Sequence, residues 1–183
     1  MFLKIYISND LLYRSINDLK EGVNMEKIEF KKIVNADERV LDKTTNWMYN
    51  WWGKRDGYSF EEVKCFMEHS MQVDRLPQTY GLFLNNEIIG MYQFSYEDLS
   101  IRPDIYPWLA NVYIDEKFRK KGYGRKLLEN VRNTAKENIN FDEMFLYTEH
   151  IDLYEKFGWI FVSDFDTFSK NPRVQRLYKL NLK

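Results

Sequence analysis

Cysteine and histidine are nearly missing from this chain, and each scarcity excludes something. The one thiol, Cys65, cannot form an internal disulfide and suits a reducing compartment. It stands beside Phe66 on a predicted helix, where a small buried hydrophobe is the expected role. His69 and His150, the two histidines, form no recognisable metal-ligand pattern, so no metal is expected. No apolar run approaches the ~18 residues of a membrane span. The start of the chain does not read as a signal peptide, because Met1–Ile7 is interrupted at Lys4 and gives way to Ser-Asn-Asp. The expected location is the cytoplasm, with no membrane partner. What is plentiful is apolar and aromatic surface: 44% and 17% of 183 residues, sufficient for a sizeable core in one domain.

The rest of the chain is organised around Arg119-Lys120-Lys121-Gly122-Tyr123-Gly124. Upstream, Trp108–Asp115 reads as a strand rich in aromatic and β-branched residues. Downstream, Leu127, Leu128, Val131 and Ala135 recur at helical spacing, with Arg125, Glu129, Arg132 and Lys136 on the other face. Glycines at 122 and 124 let several backbone N–H groups converge with no side chain in the way. The positive end of the helix dipole lies at the same place. Such a turn suits a phosphorylated ligand. It is not a Rossmann fingerprint, since Leu127 stands where the third glycine belongs, and it lacks the Gly-Lys-Ser/Thr of a P-loop. A solvated basic helix start is the plainer reading. A nucleic-acid patch is a further one, because Lys117, Arg119, Lys120, Lys121, Arg125 and Lys126 cluster here. A formal charge of −1 and the lack of a second basic cluster argue against it, so no nucleic-acid partner is expected.

Residues 1–24 read as an N-terminal extension whose order is left open, with Phe2–Ile7 a candidate strand and Asp10–Lys20 a candidate helix. Residues 25–183 read as one domain. Ile28–Val34 predicts a strand. Asn35 followed by Glu38 has helix-capping spacing, and Val40, Leu41, Thr44, Met48, Trp51 and Trp52 fall on one helical face ending near Gly53. Ser59 with Glu62 caps a second helix carrying Val63, Phe66, Met67, Ser70 and Met71. Thr79–Leu84 and Ile88–Phe94 flank an Asn85-Asn86 hairpin turn. Residues 97–107 form a loop before the central strand. Met144–Thr148 predicts a strand, Ile151–Phe157 a short helix stopped by Gly158, and Trp159–Val162 a strand. Asp164–Arg173 is a loop before a last strand, Val174–Leu182.

This order resembles that of the GNAT superfamily of N-acetyltransferases. Two segments carry the likeness besides the order: W-L-A-N-V-Y-I-D-E-K-F-R-K-K-G-Y-G at 108–124, similar to the family's Arg/Gln-x-x-Gly-x-Gly/Ala motif, and Leu153–Trp159, similar to its tyrosine-bearing helix and following strand. The likeness covers roughly residues 26–182. It implies an α/β (α+β) fold with a central mixed, mostly antiparallel sheet, a splayed parallel pair at strands 4 and 5, and helices on both faces. It further implies acetyl-CoA as cosubstrate. The amides of Arg119, Lys120, Lys121, Gly122, Tyr123 and Gly124, with Arg125 beside them, would hold the pyrophosphate. The main chain of Val112, Tyr113 and Ile114 would pair with the pantetheine arm, and an N–H near Val112 would meet the thioester oxygen.

The implied reaction is direct attack of a primary amine on the thioester in one ternary complex. The amine, with a pKa of about 10, must lose a proton first. The resemblance places Tyr154 at the coenzyme sulfur as general acid, a role typically contributing ~10²–10⁴-fold; a core tyrosine is the plainer reading. The base is open. Family members often carry a glutamate on the fourth strand, where this chain has Asn111 and no carboxylate until Asp115. Glu97, Asp98, Glu149 and His150 are candidates, as is water. Trp47, Trp51, Trp52 and Tyr58, Tyr106 and Trp108, and Asp164 and Asp166 are candidates for an acceptor pocket suited to a cationic amine. The competing reading is a non-catalytic acyl-CoA-binding module. A homodimer is compatible with the sequence and is not determined by it.

Overall fold

In a computed structural model of the chain, residues 26–166 and 174–183 are described. The expectations for residues 1–24 lie outside them. A seven-stranded sheet runs β1 (Ile28–Ile33), β2 (Gln78–Leu84), β3 (Glu87–Ser95), β4 (Trp108–Ile114), β5 (Glu143–Thr148), β7 (Val174–Asn181) and β6 (Ile160–Asp166) in spatial order. Every adjacent pair is antiparallel except β4 with β5. This is the expected mixed sheet with a parallel strand 4/strand 5 pair.

Strand alternation divides the core between the two faces. From β3, Tyr92 and Phe94 pack with Leu127, Leu128 and Val131 of helix α3 (Tyr123–Asn138). Met91, on the opposite face of the same strand, packs with Trp47 and Met48 of α1 (Glu38–Met48) and with Val63 and Met67 of α2 (Phe60–His69). Each fully buried Leu, Val or Met contributes roughly 1.5–3 kcal/mol, so α3 is held mainly by its apolar stripe. A third cluster, Leu99, Trp108, Phe145 and Leu177, lies where the β3–β4 loop crosses the sheet. Among the described residues no helix is long and apolar enough to cross a membrane.

Several local expectations are met. Asn85 and Asn86 both take positive φ, 49° and 67°, as a tight hairpin requires. Ser59 and Glu62 form a reciprocal capping box. Others are corrected. The α1 cap is Asp37, not Asn35: its carboxylate accepts from the Val40 amide at 2.8 Å. The α-helix ends at Met48 and widens into a π turn over Tyr49–Gly53, which leaves Trp51 47% exposed while Trp47 is buried. That turn seats Gly53 against α2, where a Cβ would meet Val63 Cγ2 at 2.8 Å. Cys65 is exposed rather than buried, because it sits two positions from both Val63 and Met67, on the far side of the helix. Asp152 takes φ 58° and delays the helix expected from Ile151, leaving a 3₁₀ turn over Tyr154–Phe157. Strand β6 runs on to Asp166, so Asp164 and Asp166 are strand residues, and Asp164 pairs with Arg176 of β7 at 3.6 Å.

Candidate active site

Strands β4 and β5 meet at a single bridge, Trp108 with Phe145, beside a bond from the Phe145 amide to Pro107 O at 2.8 Å. Beyond that point they part. The opening leads to a cleft of about 270 Å³ lined by Val112, Gly124, His150 and Tyr154, among others. A second groove, about 680 Å³, lies between α3 and the 3₁₀ turn and shares Arg125, Leu128, Leu153 and Phe157 with the first. Together they run from the sheet, past the start of α3, toward the surface.

At the cleft the β4 ladder is broken on its other side too. Gln93 faces Ala110 and Met91 faces Tyr113, so Asn111 and Val112 together oppose Tyr92 in a β-bulge. Asn111 takes φ 50°, a left-handed conformation asparagine tolerates well. The bulge turns Val112 toward the cleft and Asn111 to the opposite face. There Asn111 Oδ1 accepts from the Trp52 indole at 3.1 Å and Nδ2 donates to Gln93 Oε1 at 2.7 Å. Gln93 donates to Thr79 Oγ1 at 2.9 Å, which donates to Ser70 O at 2.7 Å. The residue standing where the family often has a carboxylate is thus a neutral link in a polar chain reaching α2. Asn111→Ala should cost about 1–3 kcal/mol, the penalty for orphaning buried polar partners, measured by urea unfolding.

The turn after β4 is shaped by its side chains and opened by its glycines. Asp115 accepts from the Lys117 amide at 3.2 Å and pairs with Lys43 at 3.5 Å. Arg119 folds back, donating to Ile114 O at 2.9 Å and lying 5.1 Å from the Tyr113 ring centroid, so it braces the turn. Lys120 and Gly122 take φ 62° and 83°. Among the described residues a Cβ at Gly122 would meet nothing within 4 Å, and one at Gly124 only Ile114 Cγ1 at 4.0 Å; packing among these residues demands neither glycine. The Lys126 amide bonds back to Gly122 O at 3.2 Å, leaving the Tyr123, Gly124 and Arg125 amides to be met from outside the helix.

The expected coenzyme residues therefore divide. Val112, Gly124 and Arg125 line the cleft, with Gly122 as the left-handed cap before them. Arg125 is also held to Glu129 at 2.8 Å. Lys120 and Lys121 are exposed at the turn, the latter 5.4 Å from the Phe118 ring. Tyr113 and Tyr123 offer only main chain. The first stacks on Trp47 at 5.3 Å across the sheet, and the second is buried with its hydroxyl donating to Glu26 at 3.0 Å. Ile114 packs against the α3-side core.

Tyr154 is 8% exposed, set edge-on to Trp159 and tilted against Tyr178. It both packs in the core and lines the cleft. Burial pushes its phenol up to about 12.

On the opposite face, above the point where β4 and β5 part, several polar groups gather. The Tyr147 hydroxyl donates to the Asp98 backbone carbonyl at 3.3 Å, tying the β3–β4 loop to β5. The Tyr147 ring is edge-on to Trp108 at 6.2 Å. Burial raises the Tyr147 phenol most, and the Asp98 charge raises it further; Arg55 and Asp56, after α1, also lie close enough to act on it, the first lowering it and the second raising it. Gln175 donates to Glu149 at 3.0 Å. Burial pushes the Asp98 carboxyl up to about 7. Trp52 and Tyr58 close one side, edge-on at 5.9 Å. Tyr106 instead joins Tyr96 and Phe141 in a separate aromatic set. The gathering of Arg55, Asp56, Tyr147 and Gln175 was not legible in the sequence. Only the alternation that puts Phe145 and Tyr147 on the Trp108 side of the sheet pointed toward them. Among the described residues no cluster of three or more His, Cys, Asp or Glu is placed to hold a metal ion.

The sequence profile of the acetyltransferase (GNAT) family matches residues 41–159, and the chain belongs to that family. Comparison with curated protein sequences gives no match. Among solved structures, an aminoglycoside 6'-N-acetyltransferase complexed with coenzyme A superposes with a TM-score of 0.66 at 11% identity, covering 85% of this chain and 97% of that one. A spermidine N-acetyltransferase SpeG chimera from Vibrio cholerae and hSSAT gives 0.65 at 12%, covering 85% and 95%. A GNAT-family acetyltransferase from Streptococcus pneumoniae gives 0.61 at 16%, covering 85% and 99%. At such identities the likeness is one of fold.

Proposed function

We propose that residues 25–183 form an acetyl-CoA-dependent N-acetyltransferase that moves the acetyl group to a primary amine by direct attack in a ternary complex. The observation that carries this reading is the parting of β4 from β5 after one bridge. The cleft it opens is flanked by an open glycine turn with unmet amides. The residues fit the coenzyme: a diphosphate suits the Tyr123–Arg125 amides, and the free side of β4 at Val112 suits an amide-bearing arm. Bound there, the coenzyme supplies an activated acetyl group.

Tyr154 serves as a hydrogen-bond donor to the sulfur as negative charge develops on it. A phenol near 12 facing a thiolate whose conjugate acid lies near 8.5 makes full proton transfer uphill by roughly 5 kcal/mol. The phenol therefore steadies the charge, and solvent completes the protonation. A hydrogen bond to a charged group is worth about 1.5–3 kcal/mol, so Tyr154→Phe should lower kcat roughly 10–150-fold with acetyl-CoA affinity kept. Unchanged kcat removes Tyr154 from the chemistry.

The family relation and the acceptor-side carboxylates and aromatics support a cationic amine as acceptor. Acetyl-CoA with a panel of polyamines, amino sugars, amino acids and peptides, followed by free-thiol release, tests the reading. Thiol release with any of these amines supports it. Binding of acetyl-CoA with no thiol released above hydrolysis returns the chain to a non-catalytic acyl-CoA-binding module.

A further inference from the structure

Resting on that reading, we propose that the Asp98 carboxylate is the general base that takes the proton from the acceptor's ammonium group. Four residues are candidates by type, and the geometry separates them. Glu97 is exposed, and its backbone carbonyl accepts from Ser95 Oγ at 2.7 Å. Glu149 accepts from Gln175 at 3.0 Å. His150 lines the coenzyme cleft, on the α3 side of the sheet. Asn111, at the strand position, is neutral and held at both ends of its amide.

Asp98 is placed differently. Its backbone is pinned by the Tyr147 hydroxyl on the face opposite α3. The next residue, Leu99, is part of the cluster containing Trp108 and Phe145, the two residues at which the strands separate. The Asp98 charge also acts on the Tyr147 phenol, which sets the carboxylate near that hydroxyl, beside the strand separation. Among the described residues no salt bridge or side-chain hydrogen bond occupies its carboxylate. The groups that face this region from packed elements are Tyr147 and Glu149 from β5 and its exit, and Arg55 and Asp56 from the turn after α1. Arg102 and Asp104, in its own loop, are paired to one another at 2.7 Å.

The proton balance closes without a co-reactant. The ammonium gives one proton to Asp98, which passes it to solvent. The neutral nitrogen attacks the carbonyl carbon, the C–N bond forms and the C–S bond breaks. The nitrogen's second proton reaches the departing sulfur through solvent, giving free thiol and amide.

The test uses the full chain and its Asp98→Asn and Asp98→Ala variants, with spermidine and kanamycin as acceptors and calorimetry with acetyl-CoA alongside. The expected result is unchanged acetyl-CoA affinity and a 10²–10⁴-fold loss of kcat/KM in Asp98→Asn. The limb of the wild-type pH profile that rises through neutrality should vanish, and formate should partly restore Asp98→Ala. A variant that keeps both the rate and the rising limb overturns the assignment while leaving the acetyltransferase reading intact. If the wild type binds acetyl-CoA but acetylates neither amine, the base has no such substrate and the proposal falls, while the thiol-release panel decides the wider reading. If the wild type does not bind acetyl-CoA, both fall.

Discussion

Replacing Gly124 by valine is expected to weaken acetyl-CoA binding roughly 10²-fold while leaving unfolding free energy within about 0.5 kcal/mol of the wild type. The asymmetry follows from where the side chain would go. Gly124 is the second residue of α3 and lines the cleft, and among the described residues the one atom within 4 Å of an added Cβ is Ile114 Cγ1 at 4.0 Å. Valine is a slightly better helix former than glycine, so the fold has no reason to suffer. The branched side chain fills the space claimed here for the coenzyme. Gly122→Val is the poorer test, because φ 83° would add a backbone penalty of about 1–2 kcal/mol and blur binding with folding. Titration calorimetry and urea unfolding on Gly124→Val separate the two; coenzyme affinity equal to wild type would contradict the assignment of the turn.

Asp98→Asn should stabilise the protein above neutral pH. The folded carboxyl titrates at about 7 and the unfolded one near 3.9. Between these values the folded state holds a proton that the unfolded state has lost, so stability falls as pH rises from about 4 to 7 and is flat beyond. The ionised group therefore destabilises the fold at pH 8 by an amount whose upper bound is roughly 4 kcal/mol. Asparagine carries no such burden. Melting at pH 8 should move upward in Asp98→Asn, and the wild type's loss of stability between pH 4 and 7 should be reduced by the same amount. A variant less stable than wild type at pH 8 would show that the carboxylate is held by favourable interactions, contrary to this account.

Much of the backbone geometry of the proposed coenzyme side was readable from the chain, because its determinants are local. A glycine turn between a β-rich run and an amphipathic helix specifies its own backbone, and Gly158 and the Asn85-Asn86 turn likewise act through their own φ angles. The proposed acceptor side was hardly readable. Asp98, Arg55 and Tyr147 come from three separate segments and meet only through sheet register and the path of the β3–β4 loop. The errors have the same origin. Trp51 and Trp52 matched an ideal helical period, and Trp52 does pack against the core, yet the π turn at Tyr49–Gly53, which presses Gly53 onto Val63 of α2, leaves Trp51 exposed, through a tertiary contact no short window contains. Asn111 looked like a missing base. Its role as a hydrogen-bonded link to Trp52 and Gln93 depends on a bulge that residue identity alone does not announce.

In the proposed function, the main chain of the β4 edge and of the first turn of α3 grips the coenzyme. Amide hydrogen exchange of the full chain with and without saturating acetyl-CoA addresses it directly. Exchange should slow at Tyr123, Gly124 and Arg125 and along Val112–Ile114, with α2 unchanged. Calorimetric binding of acetyl-CoA with exchange at those amides unaltered would place the ligand elsewhere and contradict the account.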